Sequence, residues 1–408
     1  MTDSEFRDLF SPQSQEIYLD NAASTLKMRC MTEKMADYDM NCGANIARGS
    51  YQSARRTEEA VEAAREKIKT FLCAGEDTEV IFTHGTTEGL NLLARSYAPK
   101  LKPENNVVTT IAEHHSNLLP WLRVCRQRGA KLRLAEPRVA ADAKGNRLVH
   151  FWAEDILSFV DENTALVTIT GCSNVTGSCL PVREICRAAH KNGLPVIVDG
   201  AQLAGHKRAD YFGSDYDALC FSAHKLYGPT GLGVICAKKS FLETLEPDVF
   251  GGGTVDYVDL KSGTVGWKSG AARWEAGTLP ISQILGFSAV LDRLMECGLD
   301  NLCAWEDRLR LYLQERMEEI PGIRCIHGGE GGGAIVSICC EFMSSLDLAA
   351  MCDAHRIAVR AGKHCAHPFL DFLGESSTLR ISLAGYNTVR EIDAFAELLR
   401  QLQRRFGG

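Results

Sequence analysis

Between residues 79 and 240 short β-branched runs alternate with amphipathic helical stretches, and this alternation restricts the fold more than any other feature of the chain. EVIFT leads into a helical pattern from Thr86, NVVTTI into one over Leu118 to Arg128, and TALVTIT into PVREICRAAHKNG, before the apolar run PVIVDG. Strands covered on both faces read as continuous apolar runs, and a crossover helix between successive strands makes them parallel. The expectation is an α/β fold with a mostly parallel, mixed sheet flanked by helices, to which YDALCFS and GVICAKK add strands. From about residue 292 the rhythm changes: a helix over Trp305 to Glu319, a strand AIVSICC, a helix near Leu346 to His355, strands IAVRA and TLRISLA, then a final helix. This predicts a large unit over residues 17–291 and a smaller C-terminal α/β unit over 292–408, joined by the N-terminal 1–16. A chain of 408 residues exceeds the size at which single cores usually stop growing, which agrees with two units.

Composition excludes several function classes. A formal net charge of -7 argues against nucleic acid as a partner, because phosphate-backbone binding needs concentrated positive charge. The start MTDSEFRDLF is acidic where a secretory leader is basic, and no apolar run is long enough to span a bilayer, so a cytoplasmic location without membrane contact is expected. In a reducing compartment the 16 cysteines do not read as a disulfide framework, and no C-x-x-C pair is present. Most read as small buried hydrophobes, Cys236, Cys339 and Cys340 among them. GGEGGG at 328–333 precedes a strand, which makes it a turn, and GPTGLG at 228–233 misses the dinucleotide spacing.

Three features stand at strand ends, where open α/β sheets place their ligands. In VDGAQ, Asp199 ends an apolar strand, and a buried carboxylate there must find a cation or a donor. A helix cap or structural ion pair is an equal reading of that residue taken alone. In CFSAHKLYGPTG, Lys225 follows Ser222 and His224; a desolvated lysine loses proton affinity and becomes an amine able to condense with an aldehyde. In THGTTEGLN, Gly85, Thr86 and Thr87 open a helix whose N–H groups suit a phosphate monoester. An aldehyde-reactive lysine, a carboxylate for a pyridine nitrogen and a phosphate cup are together the parts that pyridoxal 5'-phosphate needs.

The ordered motifs GTTEG, EHHSN, SNVTG, VDGAQ, FSAHKLYGPTG, WEAGT, RAGKHCAHP and LRISLAGYNT resemble the class V, fold-type I aminotransferase family, and within it the group II cysteine desulfurases of SUF type. The resemblance runs from YLDNAAS at 18–24 to the C-terminal helix. It implies a pyridoxal phosphate enzyme in which Lys225 carries the cofactor and shuttles the Cα proton, Asp199 pairs with the ring nitrogen and Gln202 with the phenolic oxygen. His114 would stack on the ring and act with Lys225 and Cys365 in catalysis. Thr86, Thr87, Ser222 and His224 would hold the phosphate, with Thr278 reaching the phosphate of a partner subunit in a homodimer. Asn174, Arg360 and Arg380 would hold the substrate carboxylate, and no metal is implied. One departure concerns NIARGSY, where Ala47 and Tyr51 stand in place of histidines the family often shows around the retained Arg48.

The cysteine of VRAGKHCAHP then acquires a role. A free thiol with pKa about 8.5 is mostly protonated at neutral pH, and Arg360, Lys363 and His364 are cations placed to lower that value. The implied activity converts L-cysteine to L-alanine and leaves the sulfur on Cys365 as a persulfide, for a small acceptor protein serving iron-sulfur cluster or other sulfur-compound synthesis. Three alternatives compete: a selenocysteine lyase, a class V aminotransferase or epimerase for another amino acid, and a scaffold without turnover. A metal site built on His364, Cys365 and His367 lacks the spacing and further thiols of structural sites.

Overall fold

The computed structural model describes residues 6–10, 16–46, 49–206, 215–329 and 331–407. Its main sheet has seven strands in the order Thr78–Thr83, Gly233–Lys238, Ala218–Ser222, Val196–Asp199, Thr164–Thr170, Asn106–Thr110 and Lys131–Ala135. Only Gly233–Lys238 runs against its neighbours, pairing antiparallel on both sides. The sheet is mixed for that reason. Val196–Asp199 and Ala218–Ser222 are buried along their whole length, which is why they read as unbroken apolar runs. Helices Thr86–Tyr97, His115–Arg128 and Val182–Lys191 follow strands of this sheet, as the periodicity predicts.

A second sheet of six strands is ordered Arg360–Gly362, Thr378–Ser382, Ile335–Cys340, Ile323–His327, Arg147–His150 and Arg138–Ala141. Its last two strands come from the middle of the chain, not from the C-terminal segment. Sequence reading missed them because both are four residues long, the first is exposed throughout and the second buries only Val149, so neither shows an apolar alternation. The N-terminal Ile17–Tyr18 pairs parallel with Ile357–Ala358, and Asp20 bridges to Ser382. The strand expected over IAVRA is split into Ile357–Ala358 and Arg360–Gly362, which pair in different sheets.

Two local devices hold the frame. The final helix Val389–Phe406 starts in a capping box: Glu391 N–H donates to Thr388 Oγ1, and Thr388 N–H donates to the Glu391 carboxylate. Thr388→Ala is expected to cost about 1 kcal/mol of unfolding free energy, read from the urea midpoint at unchanged m-value. Below the main sheet, Arg65 makes a bidentate pair with Glu275 at 2.8 and 2.7 Å, donates to Val80 O and lies over the Phe82 ring. Glu275 also accepts from Phe82 N–H at 2.7 Å, so the pair fixes the WEAGT segment to an outer strand. Arg65→Leu strands a buried carboxylate and should cost about 3–5 kcal/mol, measured by equilibrium denaturation.

Candidate active site

The carboxyl ends of the central strands converge on a cavity of about 210 Å³ lined by Thr86, Thr87, His114, Ser116, Thr170, Cys172, Asn174, Asp199, Ala201, Gln202, Ser222, His224 and Lys225. Nine of the thirteen positions singled out in the sequence therefore share one wall. Those outside this lining are Arg360, Arg380, Cys365 and Thr278. Thr278 is exposed, beyond the WEAGT anchor. Ala47 and Arg48 lie outside the described residues, and Tyr51 is exposed just before the helix Gln52–Phe71.

Lys225 and Asp199 form the polar centre. Burial pulls the Lys225 ammonium down to a pKa of about 8, partly opposed by the Asp199 charge. Burial likewise raises the Asp199 carboxyl, against a hydrogen bond from Ala201 N–H at 3.0 Å and the charge of Lys225. Both shifts have one leading cause, since each group is largely withdrawn from bulk water at the cavity, Asp199 fully and half-buried Lys225 in part. Ser222 sits where the adjacent antiparallel strand passes close: a side chain at Gly233 would meet the Gly85 backbone at 2.4 Å. That approach brings Ser222 Oγ to Thr86 N–H at 2.8 Å and Thr86 Oγ1 at 2.7 Å, at the start of helix Thr86–Tyr97. Thr87 Oγ1 reaches Ser116 Oγ at 2.7 Å, which ties the helix starts at 86 and 115 together.

His114 caps helix His115–Arg128, its ring nitrogen accepting from Ser116 N–H at 3.1 Å. Burial and the charge of Lys225 push its pKa down to about 4, so the ring is neutral at physiological pH. His224 is held at about 4 and His364 at about 3, again chiefly by burial. Each of these values lies below the ordinary 6.5, so the fold prefers the neutral rings. Their stabilisation is fully present above pH 6.5 and is lost as pH falls through the folded values. The urea midpoint should therefore drop between pH 6.5 and 4, and His364→Gln should flatten that slope.

Several polar atoms of the site are buried with no partner in the structure: Asn174 Oδ1, Gln202 Oε1, Arg380 Nε and His364 Nδ1. Orphaned polar atoms around a cavity are costly and mark positions a polar ligand satisfies. The donor and acceptor set fits an aldehyde-bearing pyridine phosphate: a half-buried lysine, a buried carboxylate in the same cavity and hydroxyls at a helix start. Gln202 differs from expectation in one detail, since its Nε2 donates to Ala22 O at 2.7 Å and its oxygen is the free atom. Donation to a phenolic oxygen requires the amide to turn over.

Sequence reading missed two carboxylates. Asp20 of YLDNAAS takes both arginines, Arg380 at 3.0 Å and Arg360 at 2.7 Å. Arg380 also donates to Asn174 O at 3.1 Å. Glu113 of EHHSN is fully buried and its pKa is pushed up to about 7, chiefly by burial; it accepts from Thr110, Asn117 and Thr170 N–H. Both lie inside motifs whose neighbours drew attention first, and only burial reveals them.

Cys365 is exposed at the end of a turn in which His364 and Cys365 both adopt left-handed backbone, with φ of 50° and 54°. Such conformations in non-glycine residues cost energy and persist only where surroundings impose them. Here His115 N–H donates to Cys365 O at 2.8 Å, and Asn174 Nδ2 donates to His364 O at 2.7 Å. The expectation that three cations flank the thiol is corrected for two of them: Lys363 is engaged by Asp371 at 2.5 Å, and His364 is neutral and bonded to Thr378 Oγ1, whereas Arg360, paired with Asp20, remains. Lys225, Arg360 and Arg380 are the cations whose charges interact with Cys365.

The aminotransferase class-V family model matches residues 17–395. A probable cysteine desulfurase of Halalkalibacterium halodurans is 37% identical over 100% of this chain and 99% of its own. The cysteine desulfurase CsdA of Escherichia coli K12 is 35% identical over 96% and 95%. Its crystal structure as the S-sulfonic acid superposes with a TM-score of 0.88 at 32% identity, covering 100% of this chain and 99% of that one. The apo cysteine desulfurase of Thermococcus onnurineus gives 0.87 at 31% identity over 96% and 95%. The expected α/β architecture of fold type I is thus the observed one. Matched from its first strand into its last helix, the chain belongs to the aminotransferase class-V family.

Proposed function

We propose that the chain is a pyridoxal 5'-phosphate-dependent cysteine desulfurase that converts L-cysteine to L-alanine and takes the sulfur onto Cys365. The observation that carries this reading is the conjunction of half-buried Lys225 and buried Asp199 in one cavity with an exposed Cys365 on a turn that Asn174 of the cavity wall holds through His364 O. Full-length similarity to cysteine desulfurases supports it.

In this reading Thr86, Thr87, Ser222 and His224 hold the phosphate, Asp199 keeps the ring nitrogen protonated, and neutral His114 covers one ring face. Bound there, pyridoxal 5'-phosphate supplies an aldehyde that condenses with amines and a ring that withdraws electrons from the substrate Cα. Lys225, with its pKa near 8, is neutral often enough at physiological pH to accept the Cα proton and charged often enough to return it. Arg380 donates to the substrate carboxylate through the Nε it leaves unpaired, with Arg360 beside it on Asp20. Asn174, whose free atom is the acceptor Oδ1 because its Nδ2 is held by His364 O, joins them only with its amide turned over. The Cys365 thiolate attacks the substrate sulfur; the C–S bond breaks, the S–S bond forms, and the carbon is protonated to alanine.

A homodimer in which the exposed Thr278 meets the partner's phosphate group belongs to the same reading, as do a small acceptor protein and a cytoplasmic location. Among the described residues no helix is long and apolar enough to cross a membrane. The division into residues 17–291 and 292–408 with 1–16 is likewise our reading; a second core of Leu309, Val336, Ile381 and Phe395 supports it, with Leu19 and the strands Arg138–Ala141 and Arg147–His150 joining that unit from the 17–291 segment. The deciding experiment incubates the holoprotein with L-cysteine, quantifies alanine and weighs the Cys365 peptide. One added sulfur on that peptide with matching alanine is expected. A keto acid without sulfane sulfur would overturn the reading in favour of transamination, and alanine formed from selenocysteine alone would point to a lyase.

A further inference from the structure

The segment from Cys172 to Cys179 folds back on itself. Ser173 N–H donates to Ser178 O at 2.8 Å and Leu180 N–H donates to Gly171 O at 3.0 Å, so Cys172 and Cys179 face each other as an antiparallel pair without hydrogen bonds between them. In that arrangement the Cα atoms stand about 4.5 Å apart with side chains on one face, within the range a disulfide spans. The thiols also converge, since both donate to Gly177 O, Cys172 at 3.5 Å and Cys179 at 3.7 Å. Cys172 is buried and lines the site cavity, whereas Cys179 is partly exposed.

The geometry points to Cys172 and Cys179 as a reversible dithiol–disulfide site that closes the segment carrying Asn174. The oxidant is a low-molecular-weight disulfide. The Cys179 thiolate attacks one of its sulfurs and one small thiolate leaves; the Cys172 thiolate attacks the Cys179 sulfur, the protein S–S bond forms, and the second small thiolate leaves. The protein pair loses two electrons and two protons, which end on the two small thiols. This segment is the junction of the site: Asn174 donates to His364 O, Arg380 donates to Asn174 O at 3.1 Å, and Ser337 Oγ donates to Val175 O at 2.7 Å. Gly177 O in turn receives Gly333 N–H at 2.7 Å. Fixing its two ends covalently therefore acts on the cavity wall and on the Cys365 turn together.

The test uses the full chain with Cys365→Ala, which removes the exposed thiol of the turn that Asn174 holds; the other exposed thiols, Cys42 and Cys73, fall in different tryptic peptides. After incubation with glutathione disulfide, free thiols are alkylated under denaturation and the protein is cut with trypsin. No Lys or Arg lies between the two cysteines, so both stay in one peptide ending at Arg183. A peptide lighter by two hydrogens and carrying no alkyl group is expected, and Cys179→Ser should return Cys172 alkylated. Two alkylated thiols, or a glutathione adduct on Cys179 that Cys172 never displaces, would overturn the site. A second arm rests on the cofactor reading: oxidation should change pyridoxal 5'-phosphate affinity about fivefold or more, the lower end of typical site-to-site coupling, and Cys179→Ser should abolish that change. Disulfide formation with unaltered affinity would overturn the coupling to the cavity, and failure to bind pyridoxal phosphate in either state would count against the cofactor reading alone.

Discussion

Alanine release from L-cysteine is expected to fall at least about 1,000-fold in Cys365→Ala, with no sulfane sulfur left on the protein, because removing a covalent nucleophile removes the only acceptor for the leaving sulfur. The loss should come without unfolding. Cys365 is exposed, its backbone already sits in the left-handed region, and alanine is no worse than cysteine there, so the stability change should stay within about 0.5 kcal/mol. Bound pyridoxal phosphate should keep its absorbance, since Cys365 is not among the residues lining the cavity. Undiminished alanine release would take sulfur capture away from this residue.

Lys225→Ala should be more disabling still. Alanine formation should fall below detection, because the same group anchors the cofactor and moves the Cα proton, and no other lysine lines the cavity. Borohydride reduction of the wild-type holoprotein should fix the cofactor to the peptide containing Lys225, and the variant should show no such adduct. The wild-type pH profile carries a further signature. Burial lowers this lysine to about 8, so the unliganded protein pays to fold around its charge below that pH and gains stability as pH rises from 8 towards the ordinary 10.5. A cofactor-labelled peptide from any other lysine would refute the assignment.

These expectations draw unequally on sequence and structure. The strand TALVTIT and the run PVIVDG are legible because both faces are buried, so apolar and β-branched residues fill positions on either side rather than alternating with exposed polar ones. Arg138–Ala141 and Arg147–His150 are not, because they form a short hairpin with few buried positions, and only the second of them meets Ile323–His327, far along the chain. Lys225, Asp199 and the threonines of GTTEG announce themselves by standing at strand ends. Asp20 does not, since its importance lies in meeting Arg360 and Arg380 from the far end of the sequence. The cations around Cys365 are the instructive case: proximity in sequence predicts Arg360, Lys363 and His364, and folding keeps Arg360, engages Lys363 with Asp371 and holds His364 neutral, while Lys225 and Arg380 come from elsewhere in the chain.

By itself the sequence determined the fold class, the identities of the groups that meet at the sheet's carboxyl edge and the cysteine set apart from the other fifteen, because each is written in local periodicity or in a motif a few residues long. Only the tertiary structure decided which charges are paired, which histidines are neutral, which amide atoms are left for a ligand, and that Cys172 faces Cys179. The reason is physical: protonation, pairing and orphaned hydrogen-bonding groups depend on burial and on neighbours hundreds of residues away, and neither is a property of any short stretch of chain.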